Sequence, residues 1–320
     1  MKRLFSAVLA AALTVGLCAT PSLAAKKYPT KPINVLCVYG PGGAADLALR
    51  VVAEYATKNG FTMNVVNKPG GGGSQASIEV LKSRPDGHTV LFTSTGLITL
   101  PLLKNVGYKP SDFQPVADIT DMPLTFCVRT DSGIKTFPDW IAQAKDQPGQ
   151  YNYGSPGSIT AQRLFMSTLI RDKFSGYEVP HVPYTSGHEA NTALLGNHIK
   201  AAFGVPGTNQ NYLKSGDFTL LAVTSPERLA DYPDVPTFKE LYGDKYVWFS
   251  FHGLFVNKRT PKDVVEALSG IVNAALKDPE VIEKFHKIGV TADYKSPEEF
   301  GQTVARYEAF ITEAMDGLNL

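Results

Sequence analysis

Along the chain, short runs rich in β-branched and aromatic residues alternate with longer stretches whose apolar positions recur every three or four residues. That alternation marks an α/β protein with mostly parallel sheets. The apolar runs predict strands over residues 33–38, 62–66, 89–93, 124–128, 151–154, 199–203 and 220–224. Helical spacing fills the intervals at 44–57, 74–82, 138–145, 158–171 and 189–195. Beyond residue 260 the pattern is almost wholly helical, with Pro261 and Pro279 read as first-turn prolines and Ser296-Pro297-Glu298-Glu299 opening a further helix. No internal repeat or low-complexity linker interrupts the pattern.

The N-terminus departs from it. Lys2 and Arg3 precede an apolar stretch from Leu4 to Leu17, followed by Ser22-Leu23-Ala24-Ala25. This is the layout of a secretory signal peptide, residues 1–24, cleaved near Ala24 or Ala25. The stretch is too short to span a bilayer, and no later segment approaches the roughly 18 apolar residues required. A periplasmic, soluble mature chain of about 295 residues is expected, long enough to favour two domains. Removing Lys2 and Arg3 from the 31 basic residues leaves 29 against 30 acidic ones, with no basic stripe, so nucleic acid is not an expected partner. Of the cysteines, Cys37 and Cys127 survive processing, both in strand-like runs. Buried free thiols are favoured over a disulfide, which stays open in an oxidising compartment. Their spacing makes no zinc site.

Candidate chemistry sits where strands give way to helices. Four such junctions are glycine-rich: Tyr39-Gly40-Pro41-Gly42-Gly43-Ala44-Ala45-Asp46, Lys68-Pro69-Gly70-Gly71-Gly72-Gly73-Ser74, Thr93-Ser94-Thr95-Gly96 and Gly154-Ser155-Pro156-Gly157-Ser158-Ile159-Thr160. In open α/β sheets the ligand crevice lies beyond the carboxyl ends of the strands. Glycine there admits a close backbone approach, and the following helix aims free N–H groups with partial positive charge at the crevice. Loops of this kind suit anions, although each one alone also reads as a simple tight turn.

Two enzyme readings compete. Gly40, Gly42 and Ala45 fit a dinucleotide fingerprint loosely, but Asn67 stands where an acidic residue belongs. Gly72-Gly73-Ser74-Gln75-Ala76 falls one residue short of a nucleophile elbow, and Pro69 with four glycines precedes it where a strand should enter. Ser74 as the N-cap of its helix is favoured, with a secreted serine hydrolase kept as the alternative. The histidines are dispersed and read as core or surface residues.

A resemblance covers essentially the whole mature chain. Tyr28-Pro29-Thr30-Lys31-Pro32-Ile33, the Pro41-Gly42-Gly43 loop with Asp46 and Arg50, Val66-Asn67-Lys68-Pro69-Gly70 and Arg84-Pro85-Asp86-Gly87 occur in order. Ser111-Asp112-Phe113, His181-Val182-Pro183-Tyr184, Leu221-Ala222-Val223-Thr224 and Pro233-Asp234-Val235-Pro236-Thr237 follow. In that order and spacing they resemble the Bug family, the TctC-like receptors of tripartite tricarboxylate transporters.

The resemblance implies a two-lobed periplasmic binding protein of type II-like fold, each lobe a mostly parallel sheet flanked by helices and joined by crossover strands. Lobe 1 is expected at 25–126 and 250–320, lobe 2 at 127–249, with the second crossing within 222–255. Asp121-Met122-Pro123 would mark the first crossing, and Trp248 and Phe251 would pack near the second. It implies hinge closure on a di- or tricarboxylate, an acidic amino acid or an aromatic acid, and delivery to membrane permease subunits by a monomer. A ligand sensor for a signalling kinase would use the same clamp. The implied ligand residues are Tyr39, Gly42, Gly43, Ala44, Asp46, Ser94 and Thr95 from one lobe and Ser155, Gly157, Ser158, Thr160, Tyr184 and Thr185 from the other. Asp46 is also favoured in a helix's first turn by the dipole with no ligand needed. No catalytic residue, cofactor or metal is expected. Two departures from the family stand out: the four-glycine second loop, and Gly40 where an aromatic or small apolar residue usually precedes Pro41.

Overall fold

The protein is described by a computed structural model covering residues 28–158, 160–174, 177 and 179–315. The expected signal peptide lies outside the described residues. Ten strands follow in chain order: β1 (Ile33–Cys37), β2 (Met63–Asn67), β3 (Thr89–Ser94), β4 (Phe113–Pro123), β5 (Thr125–Arg129), β6 (Tyr153–Pro156), β7 (His181–Tyr184), β8 (Ala201–Gly204), β9 (Phe218–Val223) and β10 (Phe249–Asn257). They form two five-stranded sheets, ordered β2-β1-β3-β10-β4 and β7-β6-β8-β5-β9. Each sheet repeats one plan. Three neighbouring strands run parallel, a fourth from elsewhere in the chain runs antiparallel beside them, and the fifth pairs antiparallel with that one. The crossing strand is β10 in the first sheet and β5 in the second, so each sheet borrows one strand from the other end of its chain segment.

Among the described residues eleven helices cover the sheets: α1 (Ala44–Lys58), α2 (Ser74–Lys82), α3 (Gly96–Leu103), α4 (Phe137–Asp146), α5 (Ala161–Lys173), α6 (Gly187–Leu195), α7 (Pro206–Ser215), α8 (Phe238–Tyr242), α9 (Lys262–Lys277), α10 (Pro279–Lys287) and α11 (Pro297–Met315). In α1 the buried set Ala45, Ala48, Leu49, Val52 and Ala56 recurs at three- and four-residue steps, which lays one face on the sheet. Strands covered on both sides lose their polar alternation: Val90, Leu91 and Phe92 of β3 are all fully buried. Among the described residues no helix is long and apolar enough to cross a membrane.

Three strands escaped the sequence pattern for separate reasons. β4 carries Asp118, Asp121 and two prolines, which mask its apolar positions. β7 is four residues long and contains Pro183, tolerable because it is an edge strand. β10 holds Ser250, His252 and Gly253 among its apolar residues, and a Cβ on Gly253 would collide with the Phe300 ring at 2.3 Å. Two smaller expectations also change. Pro261 is the N-cap of α9 rather than a first-turn residue, and the N-cap of α2 is Gly73, so Ser74 stands inside the helix.

The chain leaves the first sheet at Leu124 and returns to it through Thr224 and Trp248. The two crossings are tied side by side. Leu124 N donates to Thr224 Oγ1 at 2.7 Å, Thr224 N donates to Leu124 O at 3.0 Å, and Trp248 N donates to Thr224 O at 3.0 Å. Thr224 Oγ1 in turn donates to Trp248 O. Cys37 in β1 and Cys127 in β5 are buried in different sheets and free.

Candidate functional site

Strand-to-helix junctions of both sheets face each other across a cleft. From the first sheet come the starts of α1, α2 and α3, and from the second those of α5, α6 and α7. A helix start leaves its first N–H groups unpaired unless a side chain caps them. Away from the cleft, Thr136, Thr237 and Asp278 cap α4, α8 and α10 through their side chains. At the cleft, the N-caps Gly43, Gly73, Thr95 and Thr160 make no side-chain cap bond, and only α6 is capped, by Ser186. With Val205 at the start of α7 also uncapped, five of the six helix starts at the cleft lack a side-chain cap.

The first loop is held from beneath. Asp46 is fully buried and accepts from Gly42 N at 2.9 Å, Arg50 Nε at 2.9 Å and Asn67 Nδ2 at 2.7 Å. Asn67 also donates to Tyr39 O and accepts from Arg50 Nη2. The carboxylate is thus spent on shaping the loop, and the residue that breaks the dinucleotide fingerprint is one of its supports. The second loop explains its own composition. Gly70, Gly71, Gly72 and Gly73 all have positive φ, at 144°, 57°, 70° and 100°, a run of backbone angles that side chains rarely adopt.

Two cavities occupy the cleft. The larger, about 250 Å³, is lined by Tyr39, Gly70, Gly72, Gly73, Ser94 and Gly96 on one side and Gly157, Ser158, Thr160, Tyr184, Thr185 and Glu189 on the other. The smaller, about 30 Å³, is lined by Tyr39, Gly43, Ala44, Ala45, Ser250 and His252 facing Gln162, Ser186, Gly187, Gly204, Val205 and Thr208. Tyr39 and Pro156 border both. Neither cavity has a lysine or arginine among its lining residues. Glu189 contributes the one carboxylate, with Oε2 accepting from Thr185 N at 2.8 Å and Thr185 Oγ1 at 2.7 Å.

Of the expected site residues, Tyr39, Gly43, Ala44, Ser94, Gly157, Ser158, Thr160, Tyr184 and Thr185 line one or both cavities. Gly42, Asp46, Thr95 and Ser155 do not. Gly42 and Asp46 belong to the loop support, and Thr95 is buried at the start of α3. Ser155 Oγ lies 2.8 Å from His181 Nε2 below the cleft surface, where burial pushes the imidazole down to about 4 and keeps it neutral. Tyr39 OH bonds Ser94 Oγ, which fixes the ring between the cavities. Burial drives the Tyr39 phenol far up, so it stays protonated.

Sequence reasoning missed Gln162, the α6 and α7 starts, and Ser250 with His252. For α7 the signal was available, since Val205-Pro206-Gly207 follows the strand β8 as another strand-to-helix junction. His252 lies in an otherwise apolar strand, and a polar residue there is the signal that could have found it.

Among the described residues lining the two cavities no hydroxyl bonds a histidine, and Ser155, which does, is fully buried beneath the cleft. Among the described residues Ser74 makes no hydrogen bond to a histidine, so the elbow reading has no partner for it. The arrangement can surround an anion with backbone donors, from two sides, in a site with no cationic side chain.

Residues 48–314 match the family described as tripartite tricarboxylate transporter family receptor. A Cupriavidus necator protein, named as the UPF0065 protein in the gbd 5′ region, is 33% identical over 311 residues, covering 95% of this chain and 94% of its own. The structure of the periplasmic binding protein BugD superposes with a TM-score of 0.83 at 28% identity, covering 90% of this chain and 98% of that one. A structure described as R. palustris Rpa4515 with adipate has the same fold, with a TM-score of 0.83 at 23% identity over 90% of this chain and 97% of that one.

Proposed function

The chain belongs to the receptor family of tripartite tricarboxylate transporters, periplasmic solute-binding proteins rather than enzymes, and from that premise we propose that its cleft captures a small organic carboxylate and hands it to the transporter's permease subunits. The observation that carries the reading is the set of uncapped helix starts, α1, α2, α3, α5 and α7, turned into a cleft without a cationic side chain. Such donors stabilise negative charge through hydrogen bonds and the helix dipole. Three or four hydrogen bonds to a carboxylate, at about 1.5–3 kcal/mol each, offset the cost of association and leave room for a micromolar complex near 8 kcal/mol.

The expected bounds at 126 and 249 move slightly, because Thr125 and Phe126 already pair within the second sheet and Phe249 within the first; in this reading one lobe runs to Leu124 and resumes at Phe249, the other lies between, and they rotate about Leu124 and the Thr224 to Trp248 return. Gly43 and Ala44 hold the ligand from one lobe, and Gly157, Ser158 and Thr160 from the other. Closure follows because the ligand touches both lobes only when they meet. The protein works as a monomer, exported by its signal peptide and cleaved near Ala24 or Ala25.

The test is thermal stabilisation of the mature chain across di- and tricarboxylates, acidic amino acids and aromatic acids. A ligand at 100 times its Kd adds about 2.7 kcal/mol, a readily seen rise in Tm. A rise with at least one acid, without consumption of that acid, is the expected result. Stabilisation by cations or neutral sugars with none from any acid would overturn the reading.

A further inference from the structure

His252 sits at the centre of β10, paired with Ser94 on one side and Thr120 on the other, and is 6% exposed. Its ring lines the smaller cavity beside Gly43 and Ala44, packed against Tyr39 and Phe92 with centroids 5.8 and 6.3 Å away. Nδ1 lies 3.1 Å from Ser250 O. A carbonyl oxygen can only accept, so Nδ1 carries the ring proton, and in the neutral imidazole Nε2 is left with a lone pair. Burial pushes the imidazole down to about 4, which keeps it neutral at physiological pH.

Most other polar groups of this cavity are donors or already hydrogen-bonded, and the hydroxyl of Ser250 and the amide of Gln162 can each donate or accept. The α1 start offers N–H groups. Ser186 Oγ accepts from Glu189 N, Thr208 Oγ1 donates to Val205 O, and Tyr39 OH is paired with Ser94. Gln162, 4% exposed and reaching in from α5 of the opposite sheet, makes no side-chain hydrogen bond among the described residues. An unpaired acceptor next to a row of donors suits a ligand that presents both complements together. A carboxylate takes the N–H groups, and a neighbouring hydroxyl donates to Nε2. The space of about 30 Å³ is two to three times the roughly 10–15 Å³ one water needs, so it takes the carboxylate end with its neighbouring hydroxyl and leaves the rest of the acid outside it. An ammonium would need several acceptors or a counter-charge, and no carboxylate lines this cavity.

Resting on the carboxylate-capture reading above, we propose that His252 is a specificity-determining residue, its Nε2 accepting from a hydroxyl on the bound acid so that hydroxylated carboxylates are taken in preference to their unsubstituted analogues. A site that hydrogen-bonds a ligand hydroxyl discriminates against the analogue lacking it because its own acceptor is then left buried and unpaired.

The test is calorimetric titration of the mature chain with acid pairs that differ by one hydroxyl: lactate and propionate, malate and succinate, citrate and tricarballylate, mandelate and phenylacetate. Within the pair that binds, the wild type is expected to favour the hydroxy acid by roughly 10- to 100-fold. His252→Phe should shrink that ratio to within about 3-fold, mostly by weakening the hydroxy acid, and His252→Gln, whose amide oxygen can stand in for Nε2, should restore part of it. Tm without ligand reports the fold of each variant. A wild type that prefers the unsubstituted member or the amino analogue, or a preference that survives His252→Phe, overturns this inference and leaves carboxylate capture standing. Failure of every acid to bind overturns both.

Discussion

Gly40 N donates a hydrogen bond to Thr185 O at 3.0 Å, joining the loop after β1 to the loop after β7 across the cleft. Thr185 is itself held by Glu189 through its N–H and Oγ1. A Cβ placed on Gly40 would stand 2.9 Å from Thr185 Oγ1, closer than such atoms ordinarily come. The absence of a side chain at residue 40 is therefore what lets the two loops meet.

Gly40→Ala should leave the fold intact, since this glycine is not at positive φ, and hold the loops apart. The expected outcome is a loss of carboxylate affinity of roughly 10-fold, carried by a faster off-rate, with Tm of the free protein nearly unchanged. Thr185→Ala should recover part of the loss in the double variant, because it removes the oxygen that the new methyl meets. Surface plasmon resonance on the four proteins of the cycle reads both effects.

The crossing residues make a separate prediction. Thr224→Val removes the acceptor for Leu124 N and the donor to Trp248 O, both buried. Leaving such groups unpaired costs about 1–3 kcal/mol, read as a lower urea midpoint at unchanged slope.

Acid–base behaviour should follow from β4. Asp118 and Asp121 share the ammonium of Lys295 with Asp293, and Tyr307 OH donates to Asp121 from α11, which also brings Arg306 nearby. Burial pushes Asp118 up to about 8 and Asp121 up to about 6 against the pull of Lys295. Unfolded aspartates titrate near 3.9. Between there and about 8 these aspartates hold more protons in the folded chain than in the unfolded one, so their contribution falls as pH rises; below about 6.5 His181 and His252, which burial keeps neutral, oppose it, and above that the fall stands alone. Chemical denaturation should show the chain more stable at pH 7 than at pH 8.5 by about 1 kcal/mol, and Asp118→Asn should flatten the difference.

Thiol chemistry is predicted to be silent in the native state. Cys37 and Cys127 are buried and free, and burial pushes the Cys37 thiol up to about 12. Titration of the mature chain with a thiol reagent should find no fast-reacting group before unfolding and both after it, and reductant should leave Tm unchanged.

The glycine-rich loops were legible in the sequence because their physical requirement is local. A run such as Gly70 to Gly73 announces backbone angles that other residues avoid, and its place after a strand announces the cleft. The strand-helix alternation was legible for the same reason, since burial on two faces erases polar positions from β3 within six residues. What stayed hidden depends on partners distant in the chain. Asp46 looks like a ligand residue until Arg50 and Asn67 are seen to consume it. β4 looks polar until Lys295, 177 residues away from Asp118, is seen to pair with it. His252 has no local pattern at all. It reaches the cleft because β10 crosses back between β3 and β4, which only the sheet order reveals.

If the uncapped helix starts of the cleft hold a carboxylate, filling the space in front of one of them should abolish binding, and Gly43 is the position for it. Its φ of −75° and ψ of 160° accept any side chain, and a Cβ there would lie 3.7 Å from Ser186 Cβ and 3.9 Å from Gly187 N, in open contact with the opposite lobe. Gly43→Val therefore fills the smaller cavity without straining the backbone. Titrated with the acid that most stabilises the wild type, the variant should show at least about 100-fold weaker binding, a loss of roughly 3 kcal/mol, at an unchanged Tm. Equal affinity in the two proteins would place the ligand elsewhere and contradict the account.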